Sequence, residues 1–269
     1  MEFLKELSVR NYSLYLFGWI CLTGALFSFY MIATTTTQVN GINAWIKPAK
    51  FFISTFLFVW TMGWFLGYLS SYNLNWYNWV VILVLAFELI YISIRAGQGQ
   101  LSHFNVSSAF NGLMFSLMGL AISIMTLATL YIGYLFFKEP LPHLPITYVW
   151  GIRLGIIIFV LFAFEGGLMG SRLSHTVGAA DGTPGLQLLN WSVTNGDLRI
   201  AHFIGMHALQ VLPILGYYAF GSLRGIVIAS SLYLIISIGV LVQALFGMPI
   251  IKRSNTIEVS KFEVNKSSN

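Results

Sequence analysis

The chain has 269 residues, of which 57% are hydrophobic and only 9% are charged, and it carries a formal net charge of +5. Soluble domains carry about 25% charged residues, so this composition excludes an ordinary water-soluble fold and predicts an integral membrane protein. The single cysteine, Cys21, excludes an intramolecular disulfide and a cysteine-based metal cluster.

Seven apolar runs, each long enough to cross a membrane as a helix, follow one another with no soluble-looking block between them. Strands of a β-barrel span a membrane in about 9–11 residues, which is far shorter than these runs. We therefore predict an all-α polytopic membrane protein, whose seven transmembrane helices form a single bundle over 1–251. The predicted spans are 14–34, 51–70, 76–94, 109–137, 146–168, 198–220 and 226–246.

The connections between these runs differ in length and chemistry. A short amphipathic segment, 1–12, precedes the first span, and the polar residues 252–269 predict a C-terminal tail outside the bundle. The longest internal connection, 174–196, contains Asp-Gly, Pro-Gly and Asn-Gly turn signals. Loops of this length are often functional, so we expect an ordered cap over the C-terminal end of the bundle. His143 falls in a proline-rich connection, where we expect an exposed histidine without a role.

Basic residues are unevenly distributed between the two ends of the predicted bundle. With seven spans the two termini lie on opposite sides, and most of the Lys and Arg residues fall on the side of the C-terminus. The positive-inside rule then predicts a cytoplasmic C-terminus and an N-terminus outside.

A set of polar residues occurs twice, in and after the third and fifth predicted spans. In each copy a Glu precedes an Arg by seven residues, which is nearly two helical turns, and a Leu-Ser-His triplet follows the Arg. Charged residues within a span usually face the bundle interior or a water-filled cavity. The pattern predicts a parallel repeat of helices 3–4 and 5–6, with both Glu residues in one polar cavity. The two copies are Glu88, Arg95, 101–103 and Glu165, Arg172, 173–175.

The sixth predicted span adds two histidines. His202 and His207 are five residues apart and therefore point about 140° apart on a helix, which disfavours the binding of one metal ion by both. His207 lies near the depth of the two Glu residues, so we expect it to reach the same cavity. The ligands of any metal in that cavity are expected to come from different helices.

Carboxylates, imidazoles and cations are thus expected together at the C-terminal end of the bundle. Carboxylate and imidazole groups suit Fe or Zn, with carboxylates also orienting the histidine rings, and the cations suit an anionic group of a lipid, a substrate or a haem. The candidate catalytic residues are Glu88 and Glu165. The candidate metal ligands are His103, His175, His202 and His207. The candidate residues for binding a cofactor or an anion are Lys47, Lys50, Arg95, Arg172 and Arg199.

These residues favour an integral-membrane metal-dependent enzyme that acts on a small lipophilic or anionic substrate. Redox chemistry is favoured over hydrolysis because no nucleophile motif is visible; membrane lipid is an expected partner and nucleic acid is not. A proton-coupled transporter or channel is the first alternative, since buried carboxylates and histidines suit proton movement. A haem protein is the second, with His207 as axial ligand and the basic residues holding the propionates.

Four stretches stand out within this apolar sequence: WIKPAKF at 45–51, SHFN at 102–105, VGAADGTPG at 177–185 and GDLRIAHFIGMHALQ at 196–210. On these stretches the chain resembles a family of functionally uncharacterised bacterial multi-pass membrane proteins, and the likeness covers 45–215. The resemblance implies a bacterial inner-membrane location. It implies no activity and no residue roles.

Overall fold

The computed structural model describes residues 2–182, 185–186 and 189–251. Within them, seven helices are long and apolar enough to span a membrane, which confirms the predicted all-α polytopic membrane fold. A shorter helix precedes them at the N-terminus, and the predicted tail, 252–269, lies outside the described residues. The helices are α1 (Glu2–Arg10), α2 (Tyr12–Thr34), α3 (Ile46–Leu66), α4 (Asn75–Gly97), α5 (Ala109–Lys138), α6 (Ile146–Arg172), α7 (Leu198–Tyr218) and α8 (Leu223–Leu245).

Two short antiparallel strand pairs lie in the connections that follow α2 and α6. In the first, β1 (Gln38–Val39) pairs with β2 (Ile42–Asn43), and in the second, β3 (Thr176–Val177) pairs with β4 (Gly196–Asp197). Because successive spans alternate in direction, α2, α4, α6 and α8 all finish on the side that carries these strands. We call this side the C-terminal end of the bundle.

Polar residues fix where several helices begin. In four of them the side chain of the capping residue accepts a hydrogen bond from a backbone N–H of the first turn. These caps are Asn11, Ser108, Asp197 and Ser222. The second span begins earlier than predicted, at Ile46, and Pro48 fits because the first turn of a helix tolerates proline. The neighbouring lysines therefore lie on a helix at the end of the bundle, and not in the connection before it.

Glycines let α6 and α7 approach closely, as small residues do at helix interfaces in membranes. A Cβ atom added at Gly155 would lie 2.8 Å from the backbone oxygen of Ala208, and one at Gly216 would lie 2.3 Å from that of Thr147. No larger residue fits at these points without a backbone shift, so the two helices are held in one register.

The apolar core fills the middle of the bundle and the end opposite the strands. Phe58 and Phe159 stack there with ring centroids 5.3 Å apart. Towards the C-terminal end this packing gives way to polar contacts and a cavity. The largest completely buried side chains of the core include Met62, Tyr77, Phe136 and Ile152.

Candidate functional site

A cavity of about 230 Å³ lies at the C-terminal end of the bundle. Its walls are the β1–β2 hairpin, the first turns of α3, the last turns of α4, the connection 98–108 and the loop that follows α6. The first turn of α7 also reaches it, and the charged and aromatic side chains that line it come from α3, the connection 98–108, the loop after α6 and α7. The charged, histidine and phenylalanine side chains among the lining residues are Lys47, Lys50, Phe51, His103, Phe104, His175, Asp181 and Arg199.

Backbone strain is concentrated around this cavity. Among the described residues, four non-glycine residues have a positive φ, and all four line the cavity. A left-handed conformation costs a non-glycine residue about 1–3 kcal/mol, and such residues cluster at functional sites. Asparagine tolerates the conformation better than phenylalanine or leucine. The four are Asn40 (φ 51°), Phe104 (φ 60°), Leu173 (φ 51°) and Asn190 (φ 54°).

Two lysines lie one helical turn apart at the start of α3 and both line the cavity. Lys50 Nζ donates to the backbone oxygen of Leu189 at 3.1 Å, and Lys47 Nζ lies 5.7 Å from the centre of the Phe51 ring. Among the described residues, neither ammonium has a carboxylate within 4.0 Å. No described carboxylate therefore competes for either amine, and both can donate hydrogen bonds to an anionic group in the cavity.

Arg199 has a structural partner of its own. Its guanidinium donates to the two carboxylate oxygens of Asp197 at 2.9 and 2.6 Å and to the backbone oxygen of Asn190 at 2.5 Å. Asp197 is almost completely buried, and it also accepts from the backbone N–H of Ser192 at 2.8 Å. Arg199 thus holds the loop before α7 in place, and its charge is largely compensated.

His175 and Asp181 form a pair in the loop that follows α6. The ring Nδ1 of His175 lies 2.8 Å from Asp181 Oδ2, and the same carboxylate accepts from the backbone N–H groups of His175 and Thr176 and from the Ser174 hydroxyl. Burial alone would raise the pKa of Asp181, but the hydrogen bonds from His175 and Ser174 hold that pKa well below its usual value. The carboxylate is therefore ionised and accepts only, so His175 Nδ1 carries the proton and Nε2 keeps its lone pair.

His103 is held between two oxygen atoms. Its Nδ1 lies 3.2 Å from the Ser102 hydroxyl, and its Nε2 lies 3.3 Å from Glu88 Oε1. Burial and the nearby Lys47 lower the pKa of His103 to about 4, although Glu88 acts in the opposite direction. The ring is therefore neutral near pH 7. Neither predicted catalytic carboxylate lines the cavity, although Glu88 contacts the lining residue His103.

The other two predicted metal ligands lie deeper and do not line this cavity. His202 Nδ1 is 3.2 Å from Glu165 Oε2, close enough for an ion pair but without hydrogen-bond geometry. Both Glu165 oxygens and His202 Nδ1 therefore have no hydrogen-bond partner among the described residues. His207 Nδ1 lies 3.2 Å from the side-chain oxygen of Gln210, whose amide donates to the Thr61 hydroxyl at 3.2 Å. Glu165 and His207 are thus not brought to one cavity with Glu88.

The two remaining predicted anion-binding residues also lie away from the cavity lining. Arg95 is buried and donates to the side chains of Gln98, Gln100 and Asn111, the last at 2.5 Å. Arg172 is exposed at the end of α6. Of the five predicted cations, only the two lysines and the Asp-bound arginine reach the cavity.

The two Glu–Arg–Leu-Ser-His sets are not equivalent in their contacts. Glu88 pairs with the histidine of its own set, His103, whereas Glu165 pairs with His202 of α7. The difference arises at Leu173, which ends α6 in a left-handed turn and is followed by His175 bound to Asp181. The sequence likeness therefore does not create two copies of one site.

No group of three or more His, Cys, Asp or Glu side chains close enough to hold a metal ion occurs within residues 2–182, 185–186 and 189–251. The four predicted ligands are divided among separate partners instead. His103 and His175 do line the same cavity, each with a carboxylate behind it, which is the arrangement of histidines that ligate metals.

Sequence reasoning missed Asp181 and the aromatic wall of the cavity. The Asp-Gly sequence predicts only a turn at this position, and Gly182 does adopt a positive φ of 99°. An acidic residue six positions after a histidine in one loop is the sequence signal from which the pair could have been found. Phe104 carries no sequence signal, because its importance lies in a backbone conformation that phenylalanine rarely adopts.

Comparisons with protein-family models, curated proteins and solved structures give no match to this chain. Any functional argument therefore depends on the geometry of the cavity itself.

Proposed function

We propose that the protein is an integral-membrane enzyme that binds the anionic group of a small lipophilic substrate in the cavity at the C-terminal end of the bundle. The observation that carries this proposal is the combination, in one cavity, of two lysines that pair with no carboxylate of the described residues and a carboxylate-bound imidazole, His175. Because basic residues are concentrated at this end, the cavity would open to the cytoplasmic face of a bacterial inner membrane.

Lys47 and Lys50 would bind the anion. Both lie at the start of α3, where the helix dipole also favours negative charge. Hydrogen bonds from ammonium groups to carboxylate or phosphate oxygens are about twice as strong as neutral ones. Phe51 and Phe104 supply apolar surface beside them, which suits a substrate that is otherwise lipophilic.

His175 would act as the acid–base group. With Nδ1–H donated to Asp181, the Nε2 atom of a neutral imidazole accepts a proton from the bound substrate and returns it to the product. Burial lowers the pKa of His175, so the ring is in its accepting form near neutral pH. Asp181 keeps the ring oriented and stabilises the imidazolium without taking the proton itself.

Metal-dependent redox chemistry stays a prediction. His103 and His175 would be the ligands closest to the proposed substrate, oriented by Glu88 and Asp181, but both ring nitrogens of His103 already face an oxygen atom. The geometry therefore supports proton transfer more directly than metal binding. Haem binding is supported still less, because His207 is bound to Gln210 and lies apart from the basic residues.

A proton-coupled transporter is supported by the buried Glu165–His202 pair inside the membrane. Transport also needs polar access from the opposite end of the bundle. The strongest candidate there, Arg153, donates to the backbone oxygen of Phe136 at 2.8 Å and packs over the Phe137 and Trp150 rings. It is thus held as a structural residue, and the enzyme hypothesis is preferred.

Thermal unfolding of the full-length protein in non-ionic detergent tests the anion site. Dodecanoate and dodecyl phosphate, added below their micelle-forming concentrations, should stabilise the protein by about 2.7 kcal/mol at 100 times Kd, and dodecyltrimethylammonium should not. Lys47→Gln and Lys50→Gln should each weaken binding about tenfold, from the loss of one charge-assisted hydrogen bond. Lys138→Gln, at the opposite end of the bundle, is the matched control. Equal responses to anionic and cationic probes would refute the proposal.

The catalytic part is tested with His175→Gln, which leaves both lysines in place. Because substrate should bind but not react, mass spectrometry of small molecules co-purified with this variant should detect a compound that the wild type lacks or has converted. Elemental analysis of the same samples tests the metal hypothesis. Identical co-purified compounds in both proteins would count against a catalytic role of His175.

A further inference from the structure

Aromatic rings form one wall of the cavity, next to the two lysines. The Phe51 and His103 ring centroids are 5.5 Å apart, and those of Phe104 and His175 are 4.7 Å apart. Both values lie in the range of about 4.5–7 Å at which aromatic rings pack favourably. All four rings line the cavity, so a ligand bound by the lysines has π-faces or π-edges as its neighbours.

Phe104 is held in this wall at a cost to the backbone. Its φ is 60°, a conformation that favours glycine or asparagine. Behind the cavity its ring contacts Phe115, with the centroids 5.6 Å apart, and it packs against the buried cluster of Met169, Leu198 and Ala244. Asparagine or glycine would relieve the backbone but would lose these ring contacts, which offset the strain of phenylalanine at this position.

The size of the cavity limits what it holds. An apolar cavity of about 150 Å³ accepts benzene, whereas pockets that enclose a whole drug-sized ligand measure about 300–1,000 Å³. The volume of about 230 Å³ therefore suits one six-membered ring with its substituent. A long apolar chain attached to that ring would extend into the membrane.

We propose that the head group of the ligand is a planar aromatic ring that bears the anionic substituent, with the ring against Phe104 and Phe51 and the anion at Lys47 and Lys50. This inference depends on the proposed anion site and names the class of its ligand. The distance of 5.7 Å between Lys47 Nζ and the Phe51 ring centre is compatible with both contacts being made by one small group.

Two acids of equal charge and similar apolar surface test this inference: 4-octylbenzoate and 4-octylcyclohexanecarboxylate. Calorimetric titration of the full-length protein in non-ionic detergent should give about three- to tenfold tighter binding of the aromatic acid, the value expected for one aromatic pair. Phe104→Leu should remove most of this preference while still binding the saturated acid. Phe110→Leu, which changes an exposed ring at the same end of the bundle, is the matched control.

Phe51→Leu gives a second test in the same wall, in case Phe104→Leu does not fold. Equal affinities for the two acids in the wild type, with binding still weakened by Lys47→Gln, would overturn the aromatic head group and leave the anion site intact. Absence of binding of either acid would instead overturn the anion site. A preference that survives both phenylalanine variants would also overturn the inference, because these rings would then not be its source.

Discussion

His103 makes the stability of this fold depend on pH in a range where most surface groups have no effect. Its folded-state pKa is about 4, chiefly because the ring is buried and secondly because Lys47 is near, whereas the unfolded chain has the ordinary value of about 6.5. The unfolded state therefore binds more protons between these values. The stabilising contribution is complete above about pH 6.5 and is lost as the pH falls towards 4.

The size of the effect follows from the two pKa values. Lowering the pH from 7.5 to 5 should reduce the free energy of unfolding by about 2 kcal/mol through His103 alone. The pKa of His175 is lowered as well, so it contributes in the same direction. The difference between the wild type and His103→Gln therefore isolates the contribution of His103.

Equilibrium unfolding by sodium dodecyl sulfate in mixed micelles, followed by tryptophan fluorescence at the two pH values, measures this difference. His103→Gln should lose about 2 kcal/mol less than the wild type on acidification, although it is less stable at pH 7.5 because Glu88 and Ser102 lose their partner. His143→Gln, an exposed histidine in the connection between α5 and α6, should behave as the wild type. If His103→Gln and the wild type lose equal stability, burial does not disfavour the charged ring and the reasoning is wrong.

Two other predictions concern buried polar pairs, measured by the same unfolding assay. His202→Ala leaves the Glu165 carboxylate buried without a partner and should lower the free energy of unfolding by about 3–5 kcal/mol. Replacing both residues, by Leu and Met, should leave it nearly unchanged. Equal losses in the single and the double variant would show that no buried charge is involved. Asn11→Ala removes the cap of α2 and the 2.9 Å hydrogen bond to Asn78, and should cost about 2–4 kcal/mol. Ser108→Ala, an exposed cap, should cost only about 1 kcal/mol, and a loss as large as that of Asn11→Ala would contradict the argument.

The fold could be predicted from the sequence because the membrane leaves few alternatives. Backbone groups in lipid must be satisfied within each segment, so a long apolar run is a helix. The main departure is the start of the second span, which begins at Ile46 and not at residue 51, so that Lys47 and Lys50 fall within the helix. These lysines lie in the first turns of α3, where their side chains line the cavity at the end of the bundle.

The members of the site could be predicted in part, but their pairing could not. Lysines, histidines and carboxylates near one end of the bundle are visible in the sequence as residue types at similar depth. Which histidine meets Glu165 depends on the register of α6 and α7, which the glycine contacts set, and on the turn at Leu173. Spacing along one chain segment contains neither piece of information, so the repeated motif suggested an equivalence that the fold does not have.

The two ends of the bundle differ in whether their polar groups have partners and whether their backbone is strained. At the core end, the cap and the buried partner of Asn11 are both present. At the cavity end, Phe104 and Leu173 keep costly backbone conformations, and two lysines have no carboxylate partner in the part of the chain that the structure describes. Such features lower stability where they occur, and natural proteins retain them chiefly where function requires them. Because they meet around one cavity, this end of the bundle is where mutations should separate stability from activity.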